Sequence, residues 1–224
     1  EIRSDEIHLS PATTLVPDIP YYPEVSGIVE QNVDEALALL QEAGYAQGVR
    51  IPEIQISVPQ GEESLRVASL MKAAWEEHLE VTADISVTPY PAYFDALSGS
   101  DFTVGTVSWI GDFADPLTFL QMWISDSNVN DAGFADQRYD TLIDESMEER
   151  GEDRYELLGS AEEIILQTGT VLPVSHSPSL NLIDLKAIDG WFPNPLDVHP
   201  FRYLEFSEQD PITGVVRYEP TRIQ

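Results

Sequence analysis

The chain has 224 residues, and its 42% hydrophobic content is enough for a folded globular protein. With 40 acidic and 11 basic residues the net charge is −29, which disfavours nucleic acids and anionic membranes as partners. The lack of cysteine excludes disulfides, thiolate metal sites and thiol nucleophiles. No stretch approaches the roughly 18 apolar residues of a membrane span. We expect most of the acids to form a solvated surface suited to high salt.

The first part of the chain predicts an extended segment followed by a helix. Residues 1–30 are rich in proline and lack periodicity, which favours an extended segment lying over a surface. Asn32 and Glu35 have the spacing of a capping box, and Gly44 follows the apolar positions as a stop signal. The spacing therefore predicts a helix that starts after Asn32 and ends before Gly44.

Strands and helices then alternate up to the middle of the chain. Period-two alternation predicts strands, and broad apolar faces at helical spacing predict helices. The predicted elements are a strand at 54–58, a helix at 62–79, a strand at 81–87, a short helix at 91–97 and a strand at 102–107.

The second half predicts two helices followed by short strands. The helices are expected at 139–149 and 154–167, with Asp153 as the N-cap of the latter. Strands are expected at 171–174, 180–183 and 201–206. A β-α-β-α-β order followed by helices and strands predicts an α/β fold, in which a mixed or parallel sheet is flanked by helices. With no repeat or linker visible, one domain is the simplest organisation.

The most informative stretch is 101–116, DFTVGTVSWIGDFADP. A loop that follows a strand is where α/β proteins place ligand contacts. Trp109, Gly111 and Asp112 combine an aromatic ring, a residue that allows close backbone approach and a carboxylate, so Asp112 is the candidate acid for a cationic ligand group. Asp115 stands before a proline and is better explained as a helix N-cap. A purely structural loop is the alternative.

Metal-binding and catalytic motifs are weak or absent. Asp126, Asn128 and Asn130 alternate as in the first half of a calcium loop, but Asp131 and Gln137 stand where glycine and glutamate are required. A polar loop built on Asn and Asp turns is the better interpretation.

The histidines and the standard motifs point to no catalytic site. The four histidines are far apart; His78 is expected at the surface, and His176 lies in a strand-exit loop. The chain contains no HExxH, GxSxG, Walker A or GxGxxG pattern. A hydrolase that uses paired carboxylates stays open, since many acids are available.

Several phrases along the chain resemble one family of binding proteins. They are VDEALALLQEAGY at 33–45, SWIGDFADPLTFLQMW at 108–123, RYDTLIDES at 138–146, RYELLGSAEEIIL at 154–166 and VLPVS at 171–175. Together they resemble the C-terminal lobe of the family 5 extracellular solute-binding proteins, the oligopeptide- and dipeptide-binding proteins of ABC importers. The resemblance extends over roughly Val33 to Phe206.

The resemblance implies a fold and a cellular setting. The fold would be a lobe of the periplasmic-binding-protein type II class, and the chain would be a fragment of a longer two-lobed protein. Residues 1–224 would then form a single domain, with an extended segment at 1–30 and a tail at 207–224. The expected location is extracytoplasmic, in the periplasm or lipid-anchored at the cell surface. The expected partners of this monomer are a peptide or other small solute and the transmembrane subunits of an ABC permease, without cofactor or metal.

The resemblance also assigns roles to residues. Asp112 matches the acid that pairs with the peptide α-ammonium, and as a buried carboxylate it would suit that role. Trp109 and Gly111 would line the same wall, together with Ser108 of the same motif. Tyr90 stands where the family often has a tryptophan beside a side-chain pocket. Core packing is the alternative for Trp109 and Tyr90.

Some positions depart from the family pattern. Leu97, Thr106 and Ser64 stand where some oligopeptide binders carry basic residues that meet a ligand carboxylate. Oligosaccharides and nickel chelates, which relatives bind, are therefore alternative ligands. The rival classes are a carboxylate-dependent hydrolase, which requires an enclosed pocket, and an interaction module that uses its acidic face. A binding lobe instead requires Asp112 and Trp109 on an open, concave wall.

Overall fold

The computed structural model describes residues 10–27, 31–45, 51–99, 102–177, 181–194 and 197–207. The helices are α1 (Val33–Glu42), α2 (Glu62–Leu79), α3 (Tyr90–Ser98), α4 (Leu117–Leu120), α5 (Gln137–Glu148) and α6 (Gly151–Gln167), with 3₁₀ turns at Gln121–Trp123 and Phe201–Tyr203. The strands are β1 (Ser10–Pro11), β2 (Ile54–Pro59), β3 (Ala83–Thr88), β4 (Val104–Gly105), β5 (Ser175–His176), β6 (Ile188–Asp189) and β7 (Glu205–Phe206).

A parallel sheet of order β3-β2-β4 organises the first half. β2 pairs with β3 along its whole length, from Ile54 opposite Ala83 to Pro59 opposite Thr88. β2 also pairs with β4, but only at Ile56 and Ser57. Because all three strands run in the same direction, their carboxyl ends lie at one edge of the sheet. The connections to α2, to α3 and to the loop after β4 therefore leave from that edge.

A first hydrophobic cluster joins this sheet to α2. Ile56 and Val58 of β2 are completely buried, as is Ala68 of α2. Met71 and Trp75 pack against them from one side of α2. The burial of alternate strand residues against one helix face is what the periods of two and 3.6 require.

A second hydrophobic cluster is built by α4, α5 and α6. Among its side chains that are at most 2% exposed, the largest are those of Leu120, Tyr139, Ile143, Leu158 and Ile165. The hydroxyl of Tyr139 donates a hydrogen bond of 2.7 Å to the carbonyl of Leu120, so this polar atom is satisfied inside the cluster.

The extended segment at 10–27 lies against α6 and is held there by one buried acid. Glu162 is completely buried. Its Oε1 accepts hydrogen bonds from the amides of Leu15, at 2.6 Å, and Val16, at 2.9 Å. Its Oε2 accepts one from the hydroxyl of Tyr22, at 2.8 Å. These bonds satisfy the carboxylate with neutral donors, and nothing at this point of the sequence signals such a role.

Most helices agree with the sequence prediction, and the differences lie at their starts. α2 spans the predicted 62–79, and the Asn32 side chain accepts the amide of Glu35 at the start of α1. α5 begins earlier than predicted, after Asp136, whose carboxylate caps it. The prediction of Asp153 as an N-cap is wrong, because α6 already begins at Gly151. Asp153 lies in the first turn, where a carboxylate still interacts favourably with the helix dipole.

The short strands are predicted less well. The strand expected at 102–107 is shorter than predicted and consists of β4 alone. It ends before Thr106, whose amide also donates to the Tyr93 hydroxyl, at 2.8 Å. No strand forms at 171–174; the pairing occurs one residue later, where β5 meets β1 in an antiparallel bridge. Residues 181–183 are not a strand, and residue 180 lies outside the described residues. The strand expected at 201–206 is a 3₁₀ turn followed by β7.

Of the helices in the described part of the chain, none combines the length and apolar character needed to cross a bilayer.

Substitution of the buried acid, Glu162→Gln, should reduce the pH dependence of stability. Burial raises the pKa of Glu162. Folding therefore favours its neutral form, and its contribution to stability is complete below the ordinary glutamate pKa and is lost as pH rises through the raised value. We expect the free energy of unfolding of wild type to fall relative to E162Q as pH rises above the ordinary glutamate pKa of about 4.3, as measured by urea denaturation.

The glutamine is a close test because its oxygen can still accept both amides while its NH₂ group donates to Tyr22. E156Q, which changes an exposed acid of the same helix, is the matched control. Parallel pH profiles for wild type and E162Q would contradict the prediction.

Candidate functional site

The carboxyl edge of the parallel sheet carries the candidate site. The amide of Gln60, after β2, donates to the carbonyl of Thr88 at the end of β3, at 2.8 Å. The amide of Thr106, after β4, donates to the carbonyl of Ser57 in β2, at 3.3 Å. These bonds hold the three strand ends level, which is the position where open α/β sheets bind ligands.

The loop after β4 is anchored to α4 by one buried threonine. Thr118 is 1% exposed. Its carbonyl accepts a hydrogen bond of 2.8 Å from the indole Nε1 of Trp109, and its Oγ1 accepts one of 2.9 Å from the amide of Asp112. Both bonds restrain the loop from inside the protein. The position of the Trp109 ring and of the Asp112 backbone is therefore set by α4.

Gly111 makes this anchoring possible. A Cβ atom at this position would lie 2.9 Å from Cγ2 of Thr118 and 3.4 Å from Cζ of Phe119. The glycine thus lets the loop backbone approach α4 closely. This close approach explains why a glycine stands at position 111, without a backbone contact to a ligand.

The side chains of the loop are open to solvent. Asp112 is exposed in the described chain, so this lobe alone does not bury its carboxylate. Ser108 is exposed, and Trp109 keeps 36% of its surface accessible although its indole N–H is bonded inward. The core-packing alternative therefore does not account for the whole Trp109 ring. An ammonium group could reach the Asp112 carboxylate without displacing any protein side chain.

Tyr90 projects from the first turn of α3 at the same edge. It is 56% exposed, which excludes core packing as its role. The neighbouring Tyr93 is instead the buried residue, at 2% exposure. Its hydroxyl accepts the amide of Thr106 at 2.8 Å and lies 2.7 Å and 2.9 Å from the carbonyls of Thr106 and Ser57. Tyr93 therefore connects α3 to the start of the loop, and the sequence analysis missed it because an apolar helix face is an equally good reason for a tyrosine there.

Asp115 has a structural role, but the prediction that it is the N-cap is wrong, because α4 begins at Leu117 and Pro116 holds the N-cap position. Oδ1 of Asp115 accepts the amide of Leu117 at 2.9 Å. The same carboxylate pairs with both terminal nitrogens of Arg154, at 2.8 Å and 2.9 Å. Such a bidentate pair ties the start of α4 to α6. Arg154 is the single basic residue of α6, and this isolation is the signal that could have identified its pairing.

The weaker candidates also have structural roles. The side-chain amide of Asn130 donates to the carbonyls of Phe134, at 2.7 Å, and Ile124, at 3.2 Å, so this side chain connects the two ends of its loop. His176 lies with Nε2 3.0 Å from the carbonyl of Thr14. Within the described ranges no group of three or more metal-ligating side chains comes together.

The electrostatics of the site are one-sided. No lysine or arginine occurs between Lys72 and Arg138, a stretch that includes α3, the loop and α4. Of the three positions where the family resemblance implies basic residues in some members, Leu97 is buried beside Gly105, and Thr106 makes the backbone bonds described above. These segments therefore supply no cationic side chain of their own to a ligand carboxylate, and Arg154, which reaches Asp115 from α6, is already paired there. A ligand cation, by contrast, finds Asp112.

Two surface depressions lie elsewhere. One is lined by acids of α5, of α6 and of the turn between them, among them Glu145, Glu149 and Asp153. The other is lined by residues that include Leu142 and Ile164. Neither includes Trp109 or Asp112, so these two residues belong to an open surface rather than to either depression.

Substitution Thr118→Val should loosen the loop without changing the shape of the buried site. Valine has no oxygen, so the amide of Asp112 loses its acceptor while the backbone carbonyl that binds Trp109 is kept. We expect faster hydrogen exchange at the Asp112 amide and a loss of about 1 kcal/mol in the free energy of unfolding. Unchanged protection of that amide would show that Thr118 does not hold the loop.

Known proteins share both the sequence pattern and the fold. The family model described as "Bacterial extracellular solute-binding proteins, family 5 Middle" matches residues 7–131. The oligopeptide-binding protein OppA of Bacillus subtilis is 29% identical over 138 residues, which are 60% of this chain and 25% of that protein. The probable deoxycholate-binding periplasmic protein YgiS of Escherichia coli is 28% identical over 202 residues, 84% of this chain and 36% of that protein.

Solved structures agree on the fold. The periplasmic oligopeptide-binding protein OppAIV of Borrelia burgdorferi superposes with a TM-score of 0.75 at 23% identity, covering 88% of this chain and 40% of that chain. The Escherichia coli murein tripeptide-binding protein MppA gives 0.73 at 21% identity, with 90% and 41% covered. The predicted α/β fold of the type II periplasmic-binding-protein class is thereby confirmed.

This chain spans about a quarter to two fifths of the length of these relatives, which are named as binding proteins. The ordered phrases, the parallel sheet and the match over residues 7–131 lead to one conclusion. The chain belongs to family 5 of the bacterial extracellular solute-binding proteins.

Proposed function

We propose that this chain supplies one ligand-contacting lobe of the substrate-binding component of an ABC importer, which captures peptides and delivers them to a membrane permease. The observation that carries the proposal is the exposed side chain of Asp112 at the carboxyl edge of the sheet. Thr118 holds the backbone amide of Asp112 and the indole N–H of the partly exposed Trp109, so both residues have defined positions.

The chemistry of the site favours a peptide N-terminus. A carboxylate and an ammonium group form a charge-assisted hydrogen bond, about twice as strong as a neutral one. Trp109 and Tyr90 add apolar wall that contacts side chains without strict selectivity. Ser108 stands next to Trp109 as a further polar contact. This combination suits a ligand with a constant cationic end and variable apolar groups.

The proposal includes a second lobe. An open wall leaves most of a ligand in solvent, whereas binding proteins of this class close two lobes around it. Residues 1–224 would form one such lobe as a single domain, with residues 1–30 as its extended segment and 207–224 as a tail. Ligand binding would stabilise the closed form, which then docks on the transmembrane subunits of the permease.

The remaining assignments follow from the same proposal. The protein would act as a monomer outside the cytoplasm, in the periplasm or anchored at the cell surface by a lipid. It would use no cofactor or metal and bind no nucleic acid. It would not be an enzyme, since the carboxylate of Asp112 stands on an open wall rather than opposite a second acid in an enclosed pocket.

Other ligands are less well supported by the charges. Deoxycholate, named for one relative, is an anionic amphiphile, and the stretch between Lys72 and Arg138 offers it no cationic side chain. Oligosaccharides would use the aromatic wall but not the carboxylate's charge, and the residues that the structure describes offer a nickel chelate no cluster of metal ligands.

Substitution Asp112→Asn in the full-length protein should weaken peptide binding selectively. The asparagine keeps the shape of the side chain but removes the charge that pairs with the ammonium group. We expect a loss of about 1.5–3 kcal/mol in the binding free energy for di- to pentapeptides, or roughly 10- to 150-fold in Kd, measured by calorimetric titration.

D144N, which changes an exposed acid on α5, controls for the general effect of removing one negative charge. Equal affinities of wild type and D112N for peptides would remove the ammonium role from Asp112. Failure of the wild type to bind any peptide, with binding of an oligosaccharide, nickel chelate or bile salt instead, would overturn the peptide assignment.

A further inference from the structure

Two aromatic rings on α3 form an exposed pair. Tyr90 and Phe94 stand four residues apart and therefore share one face of the helix. They are 56% and 49% exposed, and their ring centroids are 5.6 Å apart at an angle of 59°. A pair of large rings that contact each other and still leave about half of their surface in water is a ready contact for a further apolar group.

The position of this pair is fixed from inside the protein. Tyr93, between them in sequence, is buried, and its ring packs edge-on against Phe94 with centroids 6.0 Å apart. Its hydroxyl binds Ser57 in β2 and Thr106 at the start of the loop that carries Trp109 and Asp112. The rings on α3 are thus held in a constant relation to the proposed ammonium site. A surface that is already ordered loses little conformational entropy when it binds a ligand.

The pair is also apolar in its chemistry. α3 carries one charged residue, Asp95, and no basic residue. Tyr90 stands at the N-terminal end of α3, at the same sheet edge as Asp112, and Phe94 lies one turn further along the helix. Contacts here would therefore recognise a flat apolar group attached to a ligand whose cationic end is at Asp112.

We propose that Phe94, together with Tyr90, forms an aromatic platform that gives this protein a preference for peptides with an aromatic side chain over peptides with small side chains. This inference rests on the proposed function and names the class of peptide within it. Tyr93 is the positioning residue of the platform. The preference comes from contact of the ligand ring with the two exposed rings. Phe94 contributes most to it, because its side chain has no polar group that water would solvate.

The test compares two tripeptides on the full-length protein by calorimetric titration. Trialanine reports the ammonium site alone, and Ala-Phe-Ala adds one aromatic ring. We expect wild type to bind Ala-Phe-Ala about 10-fold more tightly than trialanine, and Phe94→Ala to reduce that ratio about 5-fold while the affinity for trialanine changes by less than about 2-fold. Phe94→Leu keeps an apolar side chain without a ring and should lose most of the same ratio.

Phe192→Ala is the matched control, since Phe192 is also largely exposed but lies outside the sheet edge, near β6. Circular dichroism with thermal melting shows that each variant is folded. An unchanged ratio in F94A, or an equal loss for both peptides in F94A and F94L, would overturn the aromatic platform while leaving peptide binding in place. Failure of wild type to bind either peptide would instead overturn the proposed function.

Discussion

The parallel pairing of β2 with β3 and β4 is the constraint on which the rest of the site depends. Because the three strands run in one direction, the turn into α3 and the loop after β4 must leave from the same edge. Tyr90 belongs to α3 and Asp112 to the loop after β4, yet the sheet brings both segments to that edge. An antiparallel arrangement of the same strands would send one of them to the opposite end.

Buried hydroxyl groups convert this arrangement into a defined surface. Thr118 binds the loop from below, and Tyr93 binds the start of the loop from α3. Each hydroxyl satisfies backbone amides that would otherwise be left unpaired in a poorly solvated position. The Asp112 carboxylate is thereby free to contact a ligand, because the backbone amide of Asp112 holds its position. The Trp109 ring is positioned by its indole N–H and still leaves 36% of its surface open.

The acidic side chains have different roles at the surface and in the interior of the protein. At the surface, carboxylates are solvated and salt screens their repulsion, so they cost little. Asp115 is paired with Arg154, and Glu162 is satisfied by the amides and the hydroxyl of the extended segment. These two acids join elements that are distant in sequence. Asp112 differs from both, since its carboxylate faces solvent at the sheet edge.

The sequence by itself determined the local elements and the family. Local elements depend on contacts within a few residues, and the structure confirms the helix α2 and the capping pair of Asn32 and Glu35. The order of the sequence phrases around Asp112 indicated the family, and the family model confirms it. Only the tertiary structure decided how short β4 is, that Gly111 serves the approach to Thr118 and that Asp112 is exposed. These properties depend on side chains from other elements, such as the hydroxyl of Tyr93, and no periodicity within one segment encodes a partner on another.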